Sequence, residues 1–184
     1  LLTVGGTFAG YTLREHLEAL NHRQAIQLAR RLARDSRPVR AAIVRRLHAA
    51  LMAGIDDEIA GTYRRYVLES ANGAGDVADL MREWEIWLAG PGQALHPIER
   101  AAVAHHRLLG IQPFLDGNGR TARLVMNLEL MRNGFLPAVL RYESRHDYRQ
   151  AVFEAGQGDY VPLVTLVVRA IERIQTMYLL VLET

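Results

Sequence analysis

Hydrophobic residues recur at helical spacing along most of the chain, between polar residues of the kind that begin and end helices. Thr12 and Glu15 form a capping box, which predicts a helix that runs on to about Arg34. A second helix is predicted after Pro38, with Gly54 at its C-terminal end. The residues expected on the apolar face of this second helix are Val39, Ile43, Leu47 and Leu51.

The chain from Asp76 onward predicts further helices, each bounded by a start or stop residue. Asp76 caps a helix that ends at Gly90-Pro91-Gly92, and Pro97 opens a helix that reaches about Ile111. The remaining predicted helices extend from Arg120 to Asn133 with Gly134 as the stop, from a cap at Ser144 and Asp147 to Gly156, and onward from about Tyr160.

One segment departs from the helical period. Residues 63–69 alternate between two faces, and Asn72-Gly73 offers a turn, so this segment predicts a β-hairpin. No stretch of the chain has the composition of a domain linker. The sequence therefore predicts a single all-α domain with one small β-hairpin.

Composition excludes several kinds of chemistry. The 184 residues include no Cys, which removes disulfides, thiol nucleophiles and cysteine zinc sites. All 22 positive charges are Arg, so a Walker-type phosphate lysine and a Schiff-base lysine are both absent. The net charge of +2 gives no electrostatic reason to expect nucleic-acid binding. No apolar run approaches the roughly 20 residues that cross a bilayer, so no membrane partner is expected.

The candidate chemistry is concentrated between Gln112 and Arg123. Glycines on both sides of Asn118 allow a tight turn, in which several amide groups can converge at the start of a helix. Arg120 and Arg123 lie on one face of that helix and can bind phosphate oxygens, while Asp116 could hold Mg²⁺ against them. The alternative is a structural turn between two helices, with both arginines in solvent.

The same segment resembles the signature of Fic-domain proteins, His-Pro-Phe-x-Asp/Glu-Gly-Asn-Gly-Arg-x-x-Arg. Every specified position matches except the first, where Gln112 stands in place of the histidine. The likeness covers most of the chain from about Pro38 onward. Its other parts are His96-Pro97 with Ala101, Ala102 and His105, then Gly61-Thr62-Tyr63-Arg64, Leu124 to Gly134, and Ala155 to Asp159.

The resemblance implies a Fic-type helical bundle with a small β-hairpin flap, in which residues 1–184 form one domain. Residues 38–184 would be the Fic core, and residues 1–34 would resemble a degenerate inhibitory helix. Thr7 stands where relatives carry an inhibitory glutamate, so Arg123 is expected to have no internal carboxylate partner. Because the first residue is Leu1 rather than Met, we expect the chain to be a fragment.

Fic proteins typically move AMP from Mg-ATP to a Ser, Thr or Tyr hydroxyl of a target protein, which implies a nucleotide and a protein as partners. By resemblance, the site residues would be Asp116 for Mg²⁺, Gly117, Asn118 and Gly119 for the α- and β-phosphates, Arg120 for the β-phosphate, Arg123 for the γ-phosphate and Tyr148 near the adenine. Asn118 and Arg120 would share the catalytic role with position 112. Thr62, Tyr63 and Val67 would belong to the flap that holds the target by main-chain pairing. The arginines of the flap are expected to be solvated.

Gln112 is the departure with the largest chemical consequence. The family's histidine takes the proton from the attacking hydroxyl, and an amide has no basic lone pair to do so. General-base assistance is typically worth 10²–10⁴-fold in rate. His105 should lie about 10 Å further back along the preceding helix, in the interior, and His106 should face another side at the surface, so neither replaces the base. Gly156 also removes an amide that relatives often carry near the adenine.

Three interpretations remain open at this point. The chain could be an enzyme with weak or altered transfer, a pseudoenzyme that binds a nucleotide or a partner, or an inactivated variant of an ordinary AMP transferase. A cytoplasmic location in a bacterium is the default expectation, and use as a secreted effector stays open.

Overall fold

The computed structural model of the protein describes residues 10, 12–35, 38–65 and 76–182. This part of the chain contains seven α-helices, two short 3-10 turns and no strand, which confirms the all-α class. The helices are α1 (Leu13–Leu32), α2 (Ala41–Met52), α3 (Val77–Ala89), α4 (Pro97–Ile111), α5 (Asn118–Arg132), α6 (Arg145–Gly156) and α7 (Val161–Leu182).

The helix ends follow the local signals in most cases. In α1, the Thr12 hydroxyl accepts from the Glu15 amide at 3.3 Å, and the Glu15 carboxylate accepts from the Thr12 amide at 2.7 Å. The Asp76 carboxylate accepts from the Ala78 amide at 3.0 Å and so caps α3. The cap expected from Ser144 is wrong, because its side chain makes no capping hydrogen bond to α6.

Helices α4 and α5 form the centre of the fold, with one hydrophobic cluster on each side. The larger cluster joins them to α1, α2 and α3 around the buried Leu47, Trp84 and Phe114. The smaller cluster joins their other faces to α6 and α7 around Met126 and Leu163. Because the larger cluster contains Ile111 and Phe114, it anchors the connection between α4 and α5 at one end of the bundle.

Most of the predicted hairpin falls on residues 66–75, which lie outside the described part of the chain, and Val67 is among them. The stretch from Thr62 to Arg65 has no strand structure. Its backbone is nevertheless fixed, because the Arg64 amide donates to the Pro113 carbonyl at 3.0 Å. Arg64 is 6% exposed, so the expectation of a solvated arginine is wrong at this position, while Arg65 is exposed as expected.

No helix in the described ranges is both long enough and apolar enough to span a membrane.

Candidate functional site

The loop between α4 and α5, residues 112–117, is closed by the side chain of Asn118. Its Oδ1 accepts from the Phe114 amide at 2.9 Å, and its Nδ2 donates to the Phe114 carbonyl at 2.7 Å. Helix α5 begins at Asn118, two residues before the start at Arg120 that the sequence predicted. Asn118 thus shapes the loop directly, and the amide groups of the first turn of α5 stay available to a ligand.

Gly117 is required by its backbone conformation and by its neighbours. Its φ of +74° lies in the left-handed region that glycine adopts without strain. A Cβ atom at this position would lie 3.3 Å from the His48 ring and 3.4 Å from the Met52 sulfur. The loop therefore passes so close to α2 that a side chain at Gly117 would displace it.

His48 of α2 connects three parts of this site, and sequence analysis did not find it. Its ring stacks on Phe114 with centroids 3.7 Å apart, and its Nε2 donates to the Asp116 carbonyl at 3.0 Å. Its Nδ1 accepts from the Gly61 amide at 2.9 Å. These two bonds require the neutral ring, and burial lowers the pKa of His48, which favours that form. A lone histidine beside Leu47 on a helix gave no signal of this role.

The two arginines expected to bind phosphate both lie at the mouth of α5. The Arg123 guanidinium reaches back to 3.4 Å from the position that a Cβ on Gly119 would occupy. The Arg120 side chain is 19% exposed and pairs with Glu18 of α1 at 3.5 Å. Two guanidinium groups and the positive end of the helix dipole are thus brought together, as an anion site requires.

Helix α1 contributes charges that the sequence did not predict at this site. Arg14 Nη2 lies 3.1 Å from Asp116 Oδ2, and Arg120 Nη2 lies 3.8 Å from the same oxygen. Asp116, the expected metal ligand, is therefore already paired with arginine on an open surface, where its side chain is 49% exposed. Thr7 lies outside the described residues, and no ion pair in the described ranges joins Arg123 to a carboxylate.

Asp116 is the one carboxylate on the loop. The described residues contain no cluster of three or more His, Asp or Glu side chains that could hold a metal alone. Mg²⁺ is commonly bound by one or two carboxylates, with water and substrate phosphates completing its six positions. A single exposed carboxylate next to an anion site suits that arrangement and does not suit a metal bound by protein alone.

The profile of the Fic/DOC family matches residues 38–130, just over half of the 184 residues. The chain belongs to the Fic/DOC family. A protein adenylyltransferase Fic from Nematostella vectensis is 36% identical to it over 176 residues, which are 92% of this chain and 41% of that protein. The corresponding protein of Drosophila grimshawi is 37% identical over 138 residues, 72% of this chain and 29% of that protein.

A solved structure of Fic-1 from C. elegans has the same fold, with a TM-score of 0.86 and 30% sequence identity. The match covers 97% of this chain and 55% of that one. The Fic resemblance drawn from the signature is thereby confirmed. The chain spans less than half the length of the two curated relatives that it matches.

Gln112, at the position of the Fic histidine, has an unusual backbone. Its φ of 46° makes it the only non-glycine residue with a positive φ in the described part of the chain. The Arg64 guanidinium donates to the Gln112 carbonyl at 2.8 Å and to the Ile111 carbonyl at 3.1 Å. Histidine is enriched in the left-handed region and glutamine is not, so this backbone suits the residue that the Fic signature specifies.

The two histidines of α4 do not take over the role of a base. His105 is fully buried, with its Nε2 3.1 Å from the Tyr148 hydroxyl, and burial lowers its pKa to about 3. This confirms the interior position expected for His105. The surface position expected for His106 is wrong, because its half-buried ring packs edge-on against Tyr160 and its Nδ1 lies 3.2 Å from the Tyr160 hydroxyl.

Of the residues that the Fic resemblance assigns to the adenine and to the flap, Tyr148 and Tyr63 face inward. Tyr148 is half-buried, and its hydroxyl lies between His105 and the Arg123 guanidinium. Tyr63 packs against Phe114 with ring centroids 5.7 Å apart, and its buried hydroxyl has no hydrogen-bond partner in the described ranges. Thr62 is exposed. Contact of Tyr148 with adenine and of Thr62 or Tyr63 with a target stay predictions.

Proposed function

We propose that this Fic-family chain binds a nucleoside triphosphate with Mg²⁺ at the mouth of α5, and that Gln112 leaves its AMP transfer impaired or altered. The observation that carries the proposal is the Asn118-closed loop at a helix N-terminus, with Arg120 and Arg123 both beside it. The protein adenylyltransferases among its relatives support AMP transfer to a protein hydroxyl as the general activity.

The phosphates would bind to groups that are already in place. Amides of Asn118 and Gly119 and the helix dipole favour an anion, while Arg120 and Arg123 offer guanidinium forks to its outer oxygens. The Gly117 amide would join them once it releases Asp116 Oδ1, to which it donates at 2.6 Å. Asp116 would hold Mg²⁺, which when bound would neutralise phosphate charge and orient the leaving group. Binding in this way requires that Asp116 exchange its partner Arg14 for the metal.

Gln112 would change the transfer step and leave nucleotide binding intact. Transfer forms a bond between the target's hydroxyl oxygen and the α-phosphorus, breaks the bond from that phosphorus to the bridging oxygen, and releases pyrophosphate. The hydroxyl proton must leave at the same time, and the Gln112 amide cannot accept it near neutral pH. The proton then has to pass to solvent, with an expected loss of 10²–10⁴-fold in rate.

A second candidate is a binding module without transfer, which would recognise a protein partner through residues near Thr62 and Val67. One observation favours it. Asp116 and Arg120 are both paired with side chains of α1, so the groups that would meet Mg-ATP have internal partners. The two candidates differ in whether Mg-ATP binds at all.

Calorimetry with Mg-ATP tests the proposal. We expect saturable binding, and at 100 times Kd the nucleotide should stabilise the fold by about 2.7 kcal/mol. Arg120→Gln should weaken binding about tenfold or more, because a charge-assisted hydrogen bond to phosphate is lost. Arg46→Gln, an exposed arginine of α2, is the control and should bind as the parent does. A protein that ignores Mg-ATP would favour the binding module.

A further inference from the structure

The positive charges of the chain are concentrated in one short segment. Residues 19–55 contain eight of the 22 arginines and one of the 20 acidic residues, which gives this segment a net charge of +7. The rest of the chain has 14 arginines and 19 acidic residues, a net charge of −5. The total of +2, which gave no electrostatic reason to expect nucleic-acid binding, is therefore the sum of two large and opposite charges.

Helices α1 and α2, which pack against each other, carry these arginines on their exposed surface. Six of the eight side chains are exposed and make no ion pair or hydrogen bond in the described ranges, namely Arg23, Arg30, Arg31, Arg34, Arg40 and Arg46. We call these six residues the arginine face. Arg45 is used within the fold, because its Nε donates to the Gly61 carbonyl at 2.7 Å, and Arg37 lies outside the described residues.

The acidic residues closest in sequence to the arginine face are used elsewhere. Glu18 pairs with two arginines outside the face, and Glu15 completes the capping box of α1. The carboxylates of Asp56 and Asp57 accept from backbone amides of the loop that follows α2. Asp35 is half-buried and can offset one of the six charges at most. A clear excess of positive charge therefore remains on this surface.

Local helix preferences do not account for the whole arginine face. Arg30 and Arg31 lie in the last turn of α1, where the helix dipole favours a cation. Arg40 is the N-cap of α2, and its side chain makes no capping hydrogen bond. The same dipole disfavours a cation at this end, and the first turn of α2 contains no acidic residue to offset it. The start of α2 thus departs from the local rule, as is expected where a residue is kept for a contact outside its helix.

Three of the arginines form a stripe along α1. At about 100° per residue, Arg23, Arg30 and Arg34 lie within roughly 40° of one another around the helix axis. The buried Ala25 and Ala29 lie on the opposite side, so the stripe is on the outer crest of the helix. With a rise of about 1.5 Å per residue the stripe is about 16 Å long, which corresponds to about five base pairs of a duplex.

The composition of the segment indicates which polyanion fits. Residues 19–55 contain no Phe, Tyr or Trp, whereas proteins that bind single strands stack bases on aromatic side chains and protein interfaces have aromatic or apolar anchors. Leu20 and Ile26 are 38% and 36% exposed, too little for an apolar centre. The major groove of B-form DNA is about 12 Å wide and admits an α-helix, whereas that of A-form RNA is too narrow.

We propose that the arginine face binds the phosphate backbone of duplex DNA, with α1 along the major groove and without recognition of the bases. Guanidinium groups donate two parallel hydrogen bonds to a phosphate, and each contact releases a condensed counterion. The affinity should therefore fall steeply with salt, with a slope of about −0.9 per phosphate contact in a plot of log K against log salt concentration. The inference does not rest on the proposed function, because none of the six arginines belongs to the loop at α5.

Fluorescence anisotropy with a labelled DNA duplex of about 20 base pairs, from about 50 to 200 mM salt, tests the arginine face. Arg30→Gln together with Arg34→Gln should make the salt slope shallower by about 1.8, because two phosphate contacts are lost. The matched control is Arg169→Gln with Arg173→Gln, which removes two arginines at the same spacing from α7 and should keep the slope of the parent. Lysine at both positions 30 and 34 keeps the charge and should also keep the slope. Unfolding temperatures verify that each variant is folded.

The outcomes separate this inference from its alternatives. Absence of DNA binding at about 50 mM salt, or an equal loss in the α7 control, would overturn it. Tighter binding to duplex RNA, to polyglutamate or to anionic phospholipid vesicles than to the DNA would overturn the choice of partner. Arg120→Gln should keep the DNA slope, and a loss there would place the DNA at the mouth of α5 instead. The Arg30→Gln, Arg34→Gln variant should bind Mg-ATP as the parent does, so a failure of the proposed function would be seen separately.

Discussion

Restoring the histidine by Gln112→His should raise AMP transfer by 10²–10⁴-fold, which corresponds to roughly 3–5 kcal/mol of barrier. The structure limits what else the change can do. The Gln112 side chain is exposed, and its backbone is fixed by bonds from its own amide to the Leu108 carbonyl at 3.2 Å and from Arg64 to its carbonyl at 2.8 Å. A non-glycine residue in the left-handed region costs about 1–2 kcal/mol, and histidine tolerates this region better than glutamine. Stability should therefore change by no more than about 1 kcal/mol.

The assay follows protein-bound label from α-labelled ATP, with the chain itself and a cell lysate as acceptors. Gln112→Ala is the control for the loss of the amide, and it should transfer as slowly as the parent. Gln112→His with Arg120→Gln tests whether the gain requires the phosphate site, and it should lose most of the gain. The histidine must be neutral to accept a proton, so its rate should rise with pH through about 6.5, while the rate of the parent should show no such step.

Equally fast transfer of label by the parent and by Gln112→His, with similar Mg-ATP affinity, would contradict this expectation. In that case proton removal at position 112 does not limit the reaction. A Gln112→His variant that binds Mg-ATP but transfers nothing would refute it as well, because the phosphate site would then not be set up for transfer.

Two further predictions concern the partners of the loop. Arg14→Gln removes the ion pair between Arg14 and Asp116, whose charged atoms lie 3.1 Å apart. The two side chains are 59% and 49% exposed, and an exposed ion pair is worth about 0.2–1 kcal/mol. Calorimetry should therefore show Mg-ATP binding about 1.4- to 5-fold tighter than in an Arg23→Gln control, and an unchanged or weaker affinity would contradict the competition. For His48, burial lowers the pKa of the folded state, so its stabilising effect is present above the unfolded value of about 6.5 and is lost as pH falls through the lowered pKa. Urea unfolding of the parent should lose more stability towards low pH than that of His48→Gln, and parallel curves for the two would rule out this role.

Local sequence signals were enough to predict the helices. Caps and stops such as Thr12, Asp76 and Gly134 act within a few residues, so their effect can be read from the chain without knowledge of the fold. The starts of two helices differ from the expectation: Ser144 makes no cap at α6, and α5 begins two residues before the predicted start. Gly117 occupies its N-cap without a side chain, and Asn118 is used to close the loop, so the usual capping signal is absent.

The candidate site was predicted only as far as its residues are adjacent in sequence. The Gly-Asn-Gly turn and the two following arginines could be recognised because their spacing on one helix fixes their geometry. The groups that hold the loop come from elsewhere, with Arg14 102 residues before Asp116 and His48 68 residues before it. Such contacts depend on how α1 and α2 pack, and nothing in the local pattern of either helix reveals them.

The supports of the loop are the reason we expect the proposed nucleotide binding and the proposed transfer to respond to different substitutions. Its shape is set by Asn118 across its base, by His48 on the Asp116 carbonyl, and by Arg64 on the Gln112 carbonyl. None of these bonds uses the side chain at position 112, which is exposed. A substitution there alters which atom can accept a proton and leaves the scaffold of the phosphate site unchanged. Variants at Asn118, His48 or Arg64 should therefore affect nucleotide binding, whereas variants at position 112 should act on the transfer step alone.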